Sequence, residues 1–180
     1  KLVESMGYEV IYGDTDSIFV NPKVDSYDKA DKIGREIENR VNTYYNSFVK
    51  KKYKRENFMD LEFEKIFLKF LMPKVRHSEL GAKKRYAGLL KKGGKEEIEF
   101  TGLEFVRSDW TDLAKKFQLK LIDKVFHEQE VEGYVKKFVD DLKAGKLDEL
   151  LIYRKSIRKP LESYIKITPP HVKAARMMKE

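Results

Sequence analysis

The sequence contains no cysteine and no long run of apolar residues among its 180 positions. The lack of cysteine excludes a disulfide framework and any metal site built from thiolates. A helix needs about 20 mainly apolar residues to cross a bilayer, whereas the apolar runs here are short and lie between charges. We therefore expect no membrane partner. No signal peptide precedes the first motif, and with the absence of cysteine this favours the cytoplasm.

The composition excludes a disordered chain, because 41% of the residues are hydrophobic. The length is sufficient for one domain or two small ones. The first residue is Lys1, and residues 2–7 are typical of the last turn of a helix that ends at a glycine. We therefore expect the chain to be a fragment of a longer protein.

Positive charge is concentrated in two segments. The whole chain carries a formal charge of +8, residues 73–95 carry +7, residues 151–180 carry +6, and the remainder sums to −5. Two basic surfaces on an otherwise acidic protein are typical of a protein that binds a polyanion. The alternative is two solvated lysine-rich faces without a ligand.

The first part of the chain is predicted to combine strands with one long helix. Residues 8–13 and 17–20 are rich in β-branched and aromatic side chains and surround Asp14-Thr15-Asp16, which predicts a hairpin with carboxylates in its turn. Apolar residues then recur every three or four positions from Ala30 to Phe48, which predicts an amphipathic helix. Further strands, with a turn at Gly93-Gly94, are predicted at residues 59–72, 84–90 and 97–105.

The second part is predicted to be mostly helical. Helical periodicity covers residues 113–125 and 131–142, and Pro169-Pro170 begins a short helix that extends to residue 178. Residues 150–153 are expected to be extended, and Trp110 and the aromatic residues at helical spacing are expected to be core. The fold class is therefore α+β, an antiparallel sheet with a carboxylate hairpin and packed helices followed by a mostly helical region. The boundary is expected after residue 107.

Residues 12–17, Tyr-Gly-Asp-Thr-Asp-Ser, carry the most informative pattern. Two carboxylates one residue apart in a hairpin turn can face the same divalent cation. Mg²⁺ is the natural candidate, because it takes only one or two protein carboxylates and leaves the other positions to water and phosphate oxygens. The alternative is that Asp14 and Asp16 are ordinary turn residues.

Read together, residues 12–17 resemble the third conserved motif of the family B DNA polymerases, in which a hairpin of the palm domain presents catalytic aspartates. Lys83-Lys84-Arg85-Tyr86 is similar to the family's basic motif at the junction of palm and thumb. Residues 102–104, 106–107 and 109–111 resemble the segment that leads into the thumb. Residues 70–73, 153–155, 158–161 and 169–176 resemble the bacterial DNA polymerase II branch.

The resemblance implies a DNA-directed DNA polymerase. Residues 1–107 would be the C-terminal part of its palm, and residues 108–180 would be its thumb. Asp16 would be the main ligand of two Mg²⁺ ions in a nucleotidyl-transfer site, and Asp14 a weaker or water-mediated one. Tyr12, Gly13, Thr15 and Ser17 would shape the hairpin. The family's first metal-binding aspartate and its fingers helix have no counterpart here, so the fragment is expected to be inactive alone.

The resemblance also implies contacts with DNA. Lys84 and Arg85 would reach the minor groove or the phosphates of the primer duplex, where acceptors are nearly the same on every base pair. The complete enzyme would bind primer-template DNA and a deoxynucleoside triphosphate, and a processivity factor is a candidate further partner. The expected DNA-binding residues are Lys83, Lys84, Arg85, Tyr86, Arg107, Arg154, Lys155 and Arg158.

Two other functions remain open from the sequence. One is a non-catalytic duplex-binding module, either a degenerate polymerase or the small subunit of a split one. The other is a metal-dependent nucleotide-sugar transferase, whose Asp-x-Asp pair also follows a strand. The transferase explains neither the basic residues 83–85 nor the basic last thirty positions.

Overall fold

The computed structural model describes residues 1–74, 81–165 and 168–178. The chain divides into two compact units, Lys1–Thr101 and Gly102–Glu180. Antiparallel strands and helices form the first unit and helices dominate the second, which confirms the α+β class. This structural division falls slightly before the expected domain boundary after residue 107, and the functional assignment of the two parts stays a prediction.

A β-hairpin begins the first unit. A short helix α1, Leu2–Ser5, precedes strand β1, Glu9–Asp14, which pairs antiparallel with β2, Ser17–Asn21. The predicted hairpin is thereby confirmed, and Gly7 follows α1 with a φ of 90°, as expected for a helix that ends at a glycine. The register shifts at Ile11, because Val10 pairs with Val20 whereas Tyr12 pairs with Phe19.

The predicted long helix is confirmed as α2, Tyr27–Tyr53. The hydroxyl of Ser26 caps its N-terminus by accepting a hydrogen bond from the backbone N–H of Lys29, at 3.5 Å. Its apolar stripe buries Ile37 and Val41 against Val3 of α1. Side chains of the hairpin pack against the same core, so α2 supports the hairpin from one side.

A second antiparallel sheet completes the first unit. Its strands are β3, Lys69–Leu71, β4, Tyr86–Lys92, and β5, Lys95–Thr101, in that order. Gly93 and Gly94 form the predicted turn between β4 and β5, and both have the positive φ that such a turn requires. The apolar side chains of Ala87, Leu89 and Phe100 are buried in this sheet.

The strand predicted at residues 59–72 is wrong except for Lys69–Leu71. Leu61 shows the physical reason, because its backbone N–H and C=O pair with the side-chain amide of Asn42, at 2.8 and 2.9 Å, instead of with a strand. Phe63 packs so closely on α2 that a Cβ at Gly34 would overlap its ring. The alternating pattern therefore reflects packing against a helix.

The second unit contains helices α3, Asp112–Phe126, α4, Glu132–Lys143, and α5, Pro170–Met177, as predicted. The hydroxyl of Thr111 caps α3 by accepting from the backbone N–H of Ala114. Helices α3 and α4 pack through the rings of Phe117, Tyr134 and Phe138. Among the described residues of this unit, the buried apolar ones are Leu103, Ile122, Phe126 and Val172.

Three details of the second half differ from the sequence predictions. The strand predicted at residues 97–105 ends at Thr101, and the 3₁₀ turn Glu104–Val106 follows it. Leu150 and Leu151, which were expected to be extended, lie in the 3₁₀ turn Asp148–Leu151. Trp110 is 42% exposed rather than core. Within the described ranges, no helix is both long and apolar enough to span a membrane.

Candidate metal and DNA-binding site

The hairpin presents two carboxylates in different surroundings. In β1 side chains alternate between faces, so Tyr12 and Asp14 lie on the same half-buried face. Asp14 pairs with Ser17 in the hairpin register, and Thr15 and Asp16 form the two-residue turn between them. The sequence pattern correctly predicted that both aspartates lie at the turn. It did not predict that their environments differ.

The Asp14 carboxylate is held by three donors. Thr15 donates its backbone N–H and its hydroxyl to Oδ1 of Asp14, at 2.9 and 3.2 Å. Nζ of Lys84 lies 3.4 Å from Oδ2. The backbone hydrogen bond from Thr15, and then the pairing with Lys84, lower the pKa of Asp14 against the opposing effect of desolvation. Asp14 is therefore ionised at neutral pH.

Asp16, in contrast, is exposed in the turn. Its carboxylate makes no hydrogen bond or ion pair with any residue that the structure describes. Across the described ranges there is no group of three or more His, Asp or Glu residues able to hold a metal ion. A pair of carboxylates still fits Mg²⁺, which commonly takes one or two from the protein and completes its octahedron with water and phosphate oxygens. The role of Asp16 as a metal ligand stays a prediction.

The basic motif lies directly beside this hairpin. Lys83 and Lys84 form a turn before β4, closed by a hydrogen bond from the backbone N–H of Arg85 to the carbonyl of Ala82 at 3.2 Å. The backbone N–H of Lys84 donates to Oη of Tyr12 at 2.8 Å. Lys84 is thus joined to the hairpin by its backbone and by its side chain. The structure brings together two motifs that are far apart in sequence.

An aromatic cluster holds the two sheets of the first unit together beneath these polar contacts. The ring of Phe19 lies 5.5 Å from that of Tyr12, 5.3 Å from Phe70 and 5.1 Å from Tyr86. Phe67 belongs to the same cluster, and a Cβ at Gly88 would overlap its ring. Tyr86 was expected to bind DNA, and its ring packs within this cluster. A direct contact between Tyr86 and DNA stays a prediction.

Arg107 of the second unit forms a fork with Asp109. Its Nε lies 2.9 Å from Oδ1 of Asp109, and its Nη2 lies 2.5 Å from Oδ2. The hydrogen bond from Arg107 lowers the pKa of Asp109 to about 2. Arg107 was expected to contact phosphate, and its pairing with Asp109 was not predicted, although the sequence shows the Arg-x-Asp spacing. A carboxylate of the same unit therefore already compensates the charge of Arg107.

The other expected DNA-binding residues of the second unit lie in an exposed segment without regular structure. Arg154, Lys155 and Arg158 all belong to it, and Nζ of Lys155 lies 5.9 Å from the ring centre of Tyr153. Their contact with DNA stays a prediction. Some charges counted in the two basic segments lie outside the described residues, namely Arg76, Glu79, Lys166, Lys179 and Glu180.

Known proteins resemble this chain over nearly its whole length. DNA polymerase II of Escherichia coli (strain K12) is 46% identical over 180 residues, covering 99% of this chain and 23% of that protein. The DNA polymerase of Archaeoglobus fulgidus is 34% identical over 191 residues, covering 100% of this chain and 20% of that protein. The DNA polymerase alpha catalytic subunit of Drosophila melanogaster is 32% identical over 188 residues, covering 99% of this chain and 12% of that protein. The chain spans less than a quarter of the length of these relatives.

The family itself follows from a match that covers almost every position. The sequence model of DNA polymerase family B matches residues 2–180. This agrees with the order of the motifs along the chain, and the similarity to the bacterial polymerase II confirms the expected branch. The chain belongs to DNA polymerase family B.

Proposed function

We propose that these 180 residues form part of the polymerase site of a DNA-directed DNA polymerase. The observation that carries the proposal is the attachment of Lys84 to the hairpin, through Asp14 and Tyr12. It groups carboxylates suited to a metal ion and cations suited to a phosphate backbone on one small surface. That combination is what a template-directed nucleotidyl transferase needs.

In this proposal the two aspartates have separate roles. The Asp16 carboxylate has no competing partner among the described residues, so it is the one that would bind Mg²⁺ directly. Asp14 already accepts from Thr15 and pairs with Lys84, so it would position Lys84 and act on a metal only through water. The chemistry supplied by two bound Mg²⁺ ions is activation of the primer 3′-hydroxyl and stabilisation of the leaving pyrophosphate.

The basic turn at residues 83–85 would bind the primer duplex. Lys83, Lys84 and Arg85 are exposed, and the aromatic cluster beneath them fixes the turn against the hairpin. Contacts of this kind with phosphates and with the minor groove fix the position of DNA without reading its sequence. In the second unit, Arg154, Lys155 and Arg158 would add phosphate contacts, whereas Arg107 would add less because Asp109 neutralises it.

The proposal requires a further carboxylate that the described part of this chain does not place beside Asp16. Residues 1–107 would then be the C-terminal part of a palm and residues 108–180 a thumb. The larger polypeptide would supply the rest of the metal site. It would also bind the deoxynucleoside triphosphate and any processivity factor. The competing proposal is a non-catalytic duplex-binding module, which would use the basic turn but not Asp16.

A chimera tests the proposal against this alternative. These 180 residues would replace the matching segment of the E. coli DNA polymerase II, to which they are 46% identical. We expect the chimera to extend a primer, and we expect Asp16→Asn in it to lower the rate on the order of 10²-fold or more with little change in primer-template affinity. Asp60→Asn, the same change at an exposed aspartate outside the hairpin, is the control. Near-normal turnover of the Asp16→Asn chimera would show that Asp16 is a turn residue and not a metal ligand. An unmodified chimera that is folded and binds primer-template but does not extend it would support the non-catalytic module.

A further inference from the structure

The C-terminal half of α2 exposes aromatic side chains that the polymerase proposal does not use. Tyr44, Tyr45 and Tyr53 are 46%, 40% and 55% exposed. Tyr44 and Tyr45 follow Val41 at helical spacing, so they continue the apolar stripe beyond its buried part. Helical spacing predicted that Tyr44 would be core, and its exposure contradicts that prediction.

The rings form an ordered array with one lysine over it. The rings of Tyr44 and Phe48 stack with centres 5.9 Å apart and planes inclined by 17°, and the ring of Tyr53 meets Phe48 edge-on at 6.1 Å. Nζ of Lys52 lies 5.2 Å from the ring centre of Phe48 and 5.4 Å from that of Tyr53. We define the aromatic–lysine surface as Tyr44, Tyr45, Phe48, Lys51, Lys52 and Tyr53.

The surface is concave and strongly positive. A cavity of about 360 Å³ is lined by Tyr44, Phe48, Lys51 and Lys52 together with Ser47. Residues 39–55 contain six basic side chains and no acidic one. Lysines in a last helical turn are ordinarily explained by the helix dipole. That explanation does not account for the exposed ring of Tyr44, which lines the same cavity, or for the exposed ring of Tyr53, which meets Phe48.

We propose that the aromatic–lysine surface binds single-stranded nucleic acid. Lys51 and Lys52 would contact phosphates, and unpaired bases would stack on the exposed faces of Tyr53 and Tyr44, which is how sequence-tolerant single-strand sites combine charge with rings. A duplex keeps its base faces inside the helix, so it would not use the rings. An acidic peptide would need the lysines but would gain little from the aromatic faces.

This site goes beyond the proposed polymerase function and shares no residue with it. Binding here would need no metal ion and neither aspartate of the hairpin. Removal of Lys84 and Arg85 should therefore weaken duplex binding and leave single-strand binding unchanged. The two proposals can fail independently.

The test uses the complete 180-residue chain and fluorescence anisotropy with a labelled oligo-dT of about 15 nucleotides. Tyr44→Leu with Tyr53→Leu removes two rings and keeps the charge. Lys51→Gln with Lys52→Gln keeps the rings and removes two positive charges. Tyr27→Leu is the matched control, because Tyr27 is also on α2 and is 47% exposed, but at the other end. We expect the tyrosine pair to weaken oligo-dT binding at least about fivefold without changing its salt dependence. We expect the lysine pair to flatten the slope of log affinity against log salt by about 1.4.

A second measurement reports stacking directly. Tyr53→Trp should show fluorescence that oligo-dT quenches, whereas the parent chain, with Trp110 alone, should not. Two results would overturn the proposal. One is an affinity of the tyrosine pair for oligo-dT equal to that of the Tyr27→Leu control, with circular dichroism showing both to be folded. The other is a glutamate peptide that binds as tightly as oligo-dT and is insensitive to the tyrosine changes, which would indicate an acidic protein partner.

Discussion

Nζ of Lys84 lies 3.4 Å from Oδ2 of Asp14, while the backbone N–H of the same lysine donates to Oη of Tyr12. One residue of the basic turn is therefore bound to both polar side chains on the half-buried face of β1. The backbone hydrogen bond from Thr15, and after it the ion pair with Lys84, lower the pKa of Asp14. The backbone hydrogen bond from Lys84 to Tyr12 holds the basic turn against the hairpin. The carboxylate motif and the basic motif are one structural unit.

Removal of the Tyr12 hydroxyl should loosen this unit. Tyr12→Phe keeps the ring in the aromatic cluster and removes the acceptor for Lys84, so we expect a loss of about 0.5–1.5 kcal/mol in the free energy of unfolding, measured with urea. Tyr8→Phe is the control, because its ring packs against the α2 core and its hydroxyl has no partner among the described residues. Equal effects of the two changes would argue against a bond between Tyr12 and Lys84.

Gly88 should be essential to the packing of the aromatic cluster. A Cβ at this position would overlap the Phe67 ring, so Gly88→Ala should cost about 1–3 kcal/mol of stability. Gly13→Ala is a matched strand control, since its Cβ would meet Ser17 only at an ordinary contact distance of 3.8 Å. Thermal or urea unfolding of both variants checks this. Equal stability of the two would show that Phe67 moves away without cost.

The fork between Arg107 and Asp109 predicts a pH dependence. The pKa of Asp109 in the folded state is about 2, below its ordinary value of 3.8, so the pair stabilises the fold fully above that ordinary value. This contribution is lost as the pH falls through about 2. Carbon NMR of the Asp109 carboxyl should show a titration midpoint at about pH 2, and Arg107→Gln should raise this midpoint toward 3.8. A midpoint near 3.8 in the unmodified chain would mean that the fork does not persist in solution.

Magnesium should bind the isolated chain only weakly. Asp16 and Asp14 leave most coordination positions of the ion to water, and Asp14 is already paired. Calorimetric titration with MgCl₂ should show no tight stoichiometric site, and purified chain should not extend a primer above an Asp16→Ala control. A tight site, or template-directed incorporation, would contradict the proposed division of the metal site between this chain and other residues.

The sequence predicted the elements whose signals are local. The hairpin at residues 12–17, helix α2 and the Gly93-Gly94 turn each have a period, a cap or a turn residue that specifies them. The predicted strand at residues 59–72 failed because alternation also arises where an irregular segment packs on a helix. Asn42, far away in sequence, satisfies the backbone of Leu61 there, and no local pattern indicates that pairing.

The candidate site was predictable in its members but not in its contacts. The motifs containing Asp14 and Lys84 were both visible, yet their ion pair depends on how the two sheets pack through the aromatic cluster. The compensation of Arg107 by Asp109 was missed because charge counting over segments does not identify pairs. The exposure of Tyr44 was missed because a helical stripe does not show where its partner surface ends.

Binding of duplex DNA by the chain itself tests the central claim, that the hairpin and the basic turn form one DNA-binding site. A handful of phosphate contacts predicts a slope of log affinity against log salt of roughly −4 to −6. Lys84→Ala with Arg85→Ala should flatten that slope by about one to two units and weaken two unrelated duplexes alike. Lys50→Ala with Lys51→Ala, at the end of α2, should change duplex binding much less. A larger loss from the Lys50 and Lys51 changes than from the Lys84 and Arg85 changes would contradict the claim, because the duplex would then lie on a different face.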